Sequence, residues 1–349
     1  MKTLKKGINL GGWFSQWVVP VQKNGLERSE HYRTFITIDD IIRIADWGFD
    51  HVRLPFDYDL FEHDDKPYLY EEEGLKWLDQ AVDWCLSRGL SVVLDFHRAP
   101  GQDYDREKPN MLLHDREHWL RYVAVWRMLA KRFASYGEKV IFELLNEIVD
   151  PSQYLYKALI RDGLAAIRES DKQRWVIVGG NLFNSIDSLK ELELLEDPYI
   201  MYNFHYYEPV VFTHQKAYFC EDLSIYNQEI HYPGDFPELQ QFLNSYPEHA
   251  DKNHMYVWEH NTKNYMEKRL QAAVSFHQYT GRPLYCGEFG VIDTAPVDSA
   301  CRWLSDFTRL LDSYGIPHAY WSYKDMDYGL VNIRGEVIGE KQLEAIFGG

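Results

Sequence analysis

The chain has 349 residues, 45% of them hydrophobic and 26% charged, and its 54 acidic side chains outnumber 37 basic ones for a formal net charge of −17. This is a globular composition able to fill a sizeable core. The acidic excess excludes a nucleic-acid or anionic-membrane partner, since both need clustered Lys and Arg, and no run approaches the ~18 apolar residues of a membrane span. The opening Met1-Lys-Thr-Leu-Lys-Lys-Gly-Ile8 is basic but runs directly into a glycine-rich strand signal. The chain as written therefore reads as cytoplasmic, or as secreted once a leader has been removed.

Eight short β-branched or aromatic runs follow in order: Gly7–Leu10, His51–Leu54, Leu90–Phe96, Val140–Leu145, Trp175–Val178, Tyr199–Phe204, Pro283–Cys286 and His318–Trp321. Near-continuous apolar runs of this length suit parallel strands covered on both faces. Amphipathic stretches separate them. Thr37-Ile-Asp-Asp40 opens a helix with capping-box character and Gly48 closes it. Gly74 to Ser87 places Leu75, Leu78, Val82 and Cys85 on one face, and Trp119 to Tyr136 repeats Tyr122, Val125, Trp126, Leu129 and Phe133 at helical spacing before Gly137. Strand and helix alternating eight times predict an α/β protein, a (β/α)8 barrel forming a single catalytic domain over residues 1–349. A doubly wound sheet is the competitor, disfavoured by eight strands and the lack of a domain linker. Four cysteines (Cys85, Cys220, Cys286 and Cys301) without a CxxC pair read as buried thiols rather than as disulfides or a zinc site.

One interval breaks the rhythm. Glu208 to Thr262 holds prolines at 209, 233, 237 and 247, ten aromatics, five histidines, and nine acids against two lysines. A structureless loop of that length is out of place in a compact domain, so 208–262 reads as a subdomain inserted between strand six and its helix. It leaves the C-terminal end of a strand, the active end of such barrels, and is expected to form a wall or partial lid of the cleft.

Polar residues cluster where the strands should end: Arg53, His97, Asn146-Glu147, His205-Tyr-Tyr207, Gly287-Glu288-Phe289 and Trp321. Each alone is weak; six strand ends at one rim point to a site. Two carboxylates directly after hydrophobic strands four and seven suit glycoside hydrolysis, where one acid protonates the leaving oxygen and an ionised partner attacks the anomeric carbon. Arg53 would keep the nucleophile charged, while burial and the nearby negative charge raise the pKa of the acid. Asp95-Phe-His97 with His205 invites a metallohydrolase reading, but no three-ligand spacing completes it, so no metal is expected. Gly11-Gly12 and Gly179-Gly180 lack the GxGxxG spacing of a dinucleotide loop, and no cofactor is implied.

Ile141-Phe-Glu-Leu-Leu-Asn-Glu147 and Leu284-Tyr-Cys-Gly-Glu-Phe-Gly290 resemble the acid/base and nucleophile signatures of glycoside hydrolase family 5, in the retaining clan of (β/α)8 glycosidases. Gly7-Ile-Asn-Leu-Gly-Gly-Trp13, His51-Val-Arg-Leu-Pro-Phe-Asp-Tyr58, Tyr202-Asn-Phe-His-Tyr206 and Phe212-Thr-His-Gln-Lys-Ala217 resemble the clostridial cellulase C type of endoglucanase in particular, over essentially the whole chain. The resemblance implies Glu147 as acid/base and Glu288 as nucleophile. It implies Asn146 on the sugar 2-hydroxyl, Arg53 and Tyr207 orienting Glu288, and His97 and His205 lining the cleaving subsite. Trp321 would be its floor, through an irregular Trp321–Ser322 peptide.

Uncharged polysaccharides are recognised by aromatic faces and hydroxyl-directed polar groups. Trp13, Phe14 and Trp17 after strand one, Asp103 and Tyr104 after strand three, and Trp258 with His260 are the further candidates; for Trp13, stacking on sugar and local packing are both open. The chain is expected to be a monomer, and the resemblance implies action on a neutral β-glucan oligo- or polysaccharide, cutting β-1,4 linkages inside cellulose-type and mixed-linkage β-1,3-1,4 chains. A β-mannanase or glucomannanase and a β-1,3-glucan hydrolase are the alternatives on the same catalytic pair. A non-catalytic glycan-binding barrel is a more remote one, opposed by the presence of both glutamates.

Overall fold

The computed structural model describes residues 4–105, 108–247 and 261–348. Eight parallel strands close into a barrel in chain order: β1 Lys6–Asn9, β2 His51–Asp57, β3 Ser91–Arg98, β4 Val140–Glu143, β5 Val176–Gly179, β6 Ile200–Tyr206, β7 Leu284–Phe289 and β8 His318–Tyr320. The barrel closes through β1 pairing with β8, Gly7 opposite Ala319. Every strand is buried almost throughout, which is why the strands read as continuous apolar runs.

Side chains alternate between two cores along each strand. On β3, Val92, Leu94 and Phe96 face outward into the large cluster shared with the helices, while Val93 faces inward. The inward set forms layers. The lowest holds Leu4, Val93, Ile141, Ile177, Met201, Tyr285 and Ala319. Two residues further along the same strands sit Asp95, Glu143 and Asn203, and two further again His97 and His205.

The helices start and stop for the expected reasons. Ile38–Asp46 is opened by a reciprocal capping box, in which the Thr37 backbone N–H donates to Asp40 Oδ2 at 2.8 Å. Glu72–Ser87 buries Leu75, Leu78, Val82 and Cys85. Arg116–Arg132 is capped by Asp115, which accepts from the Glu117 and His118 amides, and the expected stripe to Tyr136 continues past the α-helix into the 3-10 segment Ala134–Lys139. Cys85 and Cys286 are buried, and all four thiols are free.

The alternation departs from expectation once. Between β5 and β6 the connection carries the six-residue 3-10 segment Ile186–Glu191 in place of an α-helix. The segment ends where Leu192 turns extended, at φ −64° and ψ 143°. Between β6 and the helix Lys263–Thr280 lie the short helices Val210–Thr213, Glu221–Tyr226 and Leu239–Ser245. Their buried side chains, Phe212, Leu223, Tyr226 and Phe242 among them, belong to the same hydrophobic cluster as the barrel exterior. Among the described residues, no helix is long and apolar enough to cross a membrane.

Candidate active site

The strand ends converge on one carboxylate pair. Glu288, next to last in β7, accepts a 2.6 Å hydrogen bond from Arg53 Nη1 and a 3.0 Å bond from the Tyr207 hydroxyl, one on each oxygen. Arg53 is wholly buried in β2, so each of its donors needs a partner. It donates to both oxygens of Glu143 at 2.7 and 2.9 Å, to Asn9 Oδ1 at 3.0 Å and to Asn146 Oδ1 at 2.8 Å, and lies 3.0 Å from Asp95 Oδ2. A guanidinium with this many acceptors cannot shift without breaking a buried ion pair, so it is a fixed strut beneath Glu288.

Glu147 follows β4 on a backbone bent to φ +32°, a left-handed conformation that is unfavourable for a residue with a Cβ and recurs at functional sites. The Asn146 backbone is tied down on both sides: its N–H donates to Phe96 O at 3.1 Å and its carbonyl accepts from Gln102 Nε2 at 2.7 Å. The Glu147 carboxyl lies 2.7 Å from His205 Nδ1. Burial pushes its pKa up to about 7, against the opposing pull of His97 and Arg53. Carboxylate oxygens of Glu147 and Glu288, with a nitrogen of His205, all lie within 4.8 Å of one another. Among the described residues this is also the one group of three potential metal ligands. Its closeness already follows from the His205–Glu147 hydrogen bond and from both glutamates facing one cleft.

Burial lowers the pKa of both histidines, that of His205 to about 4. His97 Nδ1 lies 2.6 Å from Asp95 Oδ2, and its ring stacks on Trp321 with centroids 5.7 Å apart and planes 12° off parallel. Burial raises the Asp95 pKa to about 7, although Arg53 opposes it. The Trp321–Ser322 peptide is cis, so the irregularity expected there is present. Gly11 leaves room for the Trp321 ring: a Cβ on it would come within 2.7 Å of that ring.

A polar rim of this kind, on a closed eight-stranded barrel, invites comparison with known glycosidases. The profile of the cellulase family, glycosyl hydrolase family 5, matches residues 16–327. The chain is 42% identical over 332 residues to Endoglucanase C of Acetivibrio thermocellus, covering 95% of this chain and 94% of that protein. The chain belongs to glycosyl hydrolase family 5. It is a glycoside hydrolase. Cellodextrinase A of Ruminococcus flavefaciens is 32% identical over 313 residues, 89% of this chain and 83% of its own. Among solved structures, the cellulose synthase subunit Z of Clostridioides difficile matches with a TM-score of 0.78 and 25% identity, over 99% of both chains. An endoglucanase of Thermotoga maritima matches with a TM-score of 0.77 over 98% of this chain and 96% of its own; at 24% identity it speaks for the fold alone.

Within this family-5 barrel, Arg53, His97, Asn146, Glu147, His205, Tyr207, Glu288 and Trp321 come together at one rim. Tyr104 stands beside them, its hydroxyl donating to His97 O at 3.2 Å with the side chain 37% exposed. Trp13 does not join them. It is fully buried, its indole N–H donates to Tyr32 O at 2.8 Å, and it stacks between Phe14 and Trp84. The chain turns inward after β1, with Gly12 at φ +79°, so Trp13 and Phe14 fill the space between barrel and helices and present no face to a sugar. Trp17 is half-buried beneath the Arg28 guanidinium, 4.5 Å from its ring. Trp258 and His260 lie outside the described residues.

Asn9, Glu143 and Asn203 escaped the sequence reading, each hidden inside an apolar run. The available signal was spacing: Asn203 precedes His205 by two, so both must face the same side of β6, and Glu143 lies on the inward face two residues beyond Ile141.

Proposed function

We propose that this glycoside hydrolase is a retaining, endo-acting β-glucanase that cuts β-1,4 linkages within cellulose-type and mixed-linkage β-1,3-1,4-glucans. The observation that carries the reading is the carboxylate pair: Glu147 and Glu288 have oxygens within 4.8 Å, and burial lifts the Glu147 pKa to about 7. Retaining glycosidases hold their carboxyl groups about 5–5.5 Å apart, and inverting ones about 6.5–9.5 Å, to admit a water between them. The similarity to Endoglucanase C supports the endo mode and the glucan.

In the first step Glu147 gives its proton to the glycosidic oxygen as Glu288, held by Arg53 and Tyr207, attacks the anomeric carbon. The bond to the leaving chain breaks and a glycosyl ester forms on Glu288. Glu147, now a carboxylate, then takes a proton from water, whose oxygen displaces Glu288 with net retention. Asn146, on the same strand end, would meet the sugar 2-hydroxyl in this reading. Trp321 and Tyr104 offer ring faces to the pyranose.

The described part of stretch 208–262, residues 208–247 with 261 and 262, serves in this reading as one wall of the cleft. The His214 ring packs 5.0 Å from Tyr207, and Phe219, half exposed, packs on His214. Replacing residues 209–261 by a short glycine linker should abolish polymer affinity; a folded variant that binds glucan as the parent does would contradict the assignment.

The test is a panel of mixed-linkage glucan, soluble cellulose, glucomannan and mannan with product sizing. Rapid loss of polymer length on the glucans is expected. Hydrolysis of mannan alone would overturn the sugar assignment, and release of single glucose units without chain shortening would overturn the endo mode.

A further inference from the structure

His205 is buried and, with its pKa lowered to about 4 by that burial, neutral near pH 7, so one of its two ring nitrogens carries a proton and the other a lone pair. Neighbours decide which. Nδ1 lies 2.7 Å from Glu147 Oε1. Nε2 faces the side-chain nitrogens of Asn203 and Asn184, each at 3.3 Å. The end of the Asn203 amide that points at the ring is fixed independently. Its Oδ1 accepts from the Gly287 backbone N–H at 2.8 Å, and its Nδ2 donates to Glu143 Oε1 at 2.7 Å, a carboxylate that Arg53 grips through two hydrogen bonds. Turning the amide over would set N–H against N–H at Gly287 and oxygen against oxygen at Glu143. The second hydrogen of Nδ2 is therefore available to His205, and Nε2 is the acceptor.

We propose that Asn203 is a positioning residue for hydrolysis: by donating to Nε2 it holds the His205 proton on Nδ1, so that His205 donates to Glu147 Oε1 and leaves the acidic proton of Glu147 on Oε2, free for the leaving oxygen. This rests on Glu147 being the acid. In the opposite tautomer a bare Nδ1, 2.7 Å away, would draw that proton to itself and away from the glycosidic bond. The same chain of contacts runs on through Glu143 and Arg53 to Glu288, so one hydrogen-bonded line beneath the sugar ties the two glutamates together. Gly287 makes room for it: a Cβ there would stand 2.7 Å from Asn203 Nδ2 and 3.0 Å from His205 Nε2.

The experiment has two readouts. The first is the ¹⁵N spectrum of the His205 ring in the wild-type chain, assigned by its loss in His205→Gln; a protonated Nδ1 and an unprotonated Nε2 are expected near pH 7. The second compares wild type with Asn203→Ala and Asn203→Asp on two substrates. One is mixed-linkage glucan, whose leaving sugar needs an acid; the other is a dinitrophenyl β-cellobioside, whose leaving group departs unaided. The loss in kcat/KM on glucan should exceed that on the aryl glycoside by about tenfold or more, part of the about 10²–10⁴-fold that a positioned general acid contributes. Asn203→Asp, which keeps the acceptor for Gly287 but offers oxygen to the ring, should also move a proton onto Nε2. An Nε2-protonated neutral ring in the wild type, or equal losses on both substrates, would overturn the role of Asn203. The wild-type spectrum decides even if neither variant folds. A wild-type chain inactive on every glucan would instead overturn the glucanase reading beneath it, a distinct result because the spectrum reads geometry without turnover.

Discussion

The lower layer of the barrel interior, Val93, Ile141, Ile177, Met201, Tyr285 and Ala319, and the layer above it, Asn9, Arg53, Asp95, Glu143 and Asn203, are equally sealed from water. On β3, β4 and β6 the two layers stand only two residues apart, yet the lower is apolar but for the Tyr285 hydroxyl, which meets buried His51, while the upper carries ion pairs from three carboxylates to a single guanidinium once Glu288 is counted. The apolar layer stabilises by simple burial. The polar layer is a costly way to fill the same space, because desolvating charges offsets most of their attraction, and well-packed apolar side chains often serve stability as well or better. What the polar layer supplies is orientation: it fixes Arg53 under Glu288 and Asn203 against His205, which no hydrocarbon could do. The lower layer holds the barrel together, and the upper one holds the chemistry in place.

The sharpest way to break this comparison is at the proposed nucleophile. Glu288→Ala should lower kcat by at least about 10³-fold while the chain still folds, since a covalent route is lost outright; circular dichroism and glucan turnover on one sample check both halves. Next comes the layer contrast itself. Glu143→Ala leaves the buried Arg53 short of its main partner and should cost about 3–5 kcal/mol, with activity falling too. Ile141→Ala, one inward step below on β4, should cost a similar about 2–5 kcal/mol through the cavity it leaves, with little change in the pH dependence of kcat/KM. Urea melts with pH–rate profiles separate them; matching profiles in the two variants would erase the distinction between layers.

Smaller effects sharpen it. As the proposed general acid, Glu147 has to be protonated to act, so kcat/KM should fall as pH rises through about 7. The same raised pKa has a stability consequence. Folded Glu147 keeps a proton that the unfolded chain releases near its ordinary value of about 4.3, so this group's contribution declines as pH rises from there to about 7. Glu147→Gln should therefore gain about 1–3 kcal/mol at pH 8 relative to its difference from wild type at pH 4, read by denaturant melts at both values. Least of all, Trp13→Phe should leave KM for glucan within about twofold, because binding energy is not drawn from a ring that touches no ligand; a larger rise in KM would return Trp13 to the cleft.

Much of this architecture is legible in the chain because burial and local geometry agree. Val92, Leu94 and Phe96, for instance, mark a strand whichever way it faces, and Thr37 with Asp40 mark a helix start by their own hydrogen bonds. The rim residues were found because a barrel delivers its strand ends to one place. Three features were not legible. The segment Ile186–Glu191 looks helical in composition, yet it forms a 3-10 turn that ends at the extended Leu192. Trp13 faces inward because of a backbone turn at Gly12 that spacing does not reveal. Glu143 and Asn203 are polar residues inside apolar strands; spacing sets the side each faces, but which residues they meet there depends on strand pairing: Asp95 opposite Glu143, Asn203 opposite Tyr285.

If Glu147 and Glu288 work by double displacement, the anomeric configuration of the first product reveals it. Proton NMR of cello-oligosaccharide cleavage, followed from the first minute before mutarotation, should show the β anomer appearing first and the α anomer growing in later. The α anomer appearing first would contradict the account, since it marks single displacement by a water held between the two carboxyl groups.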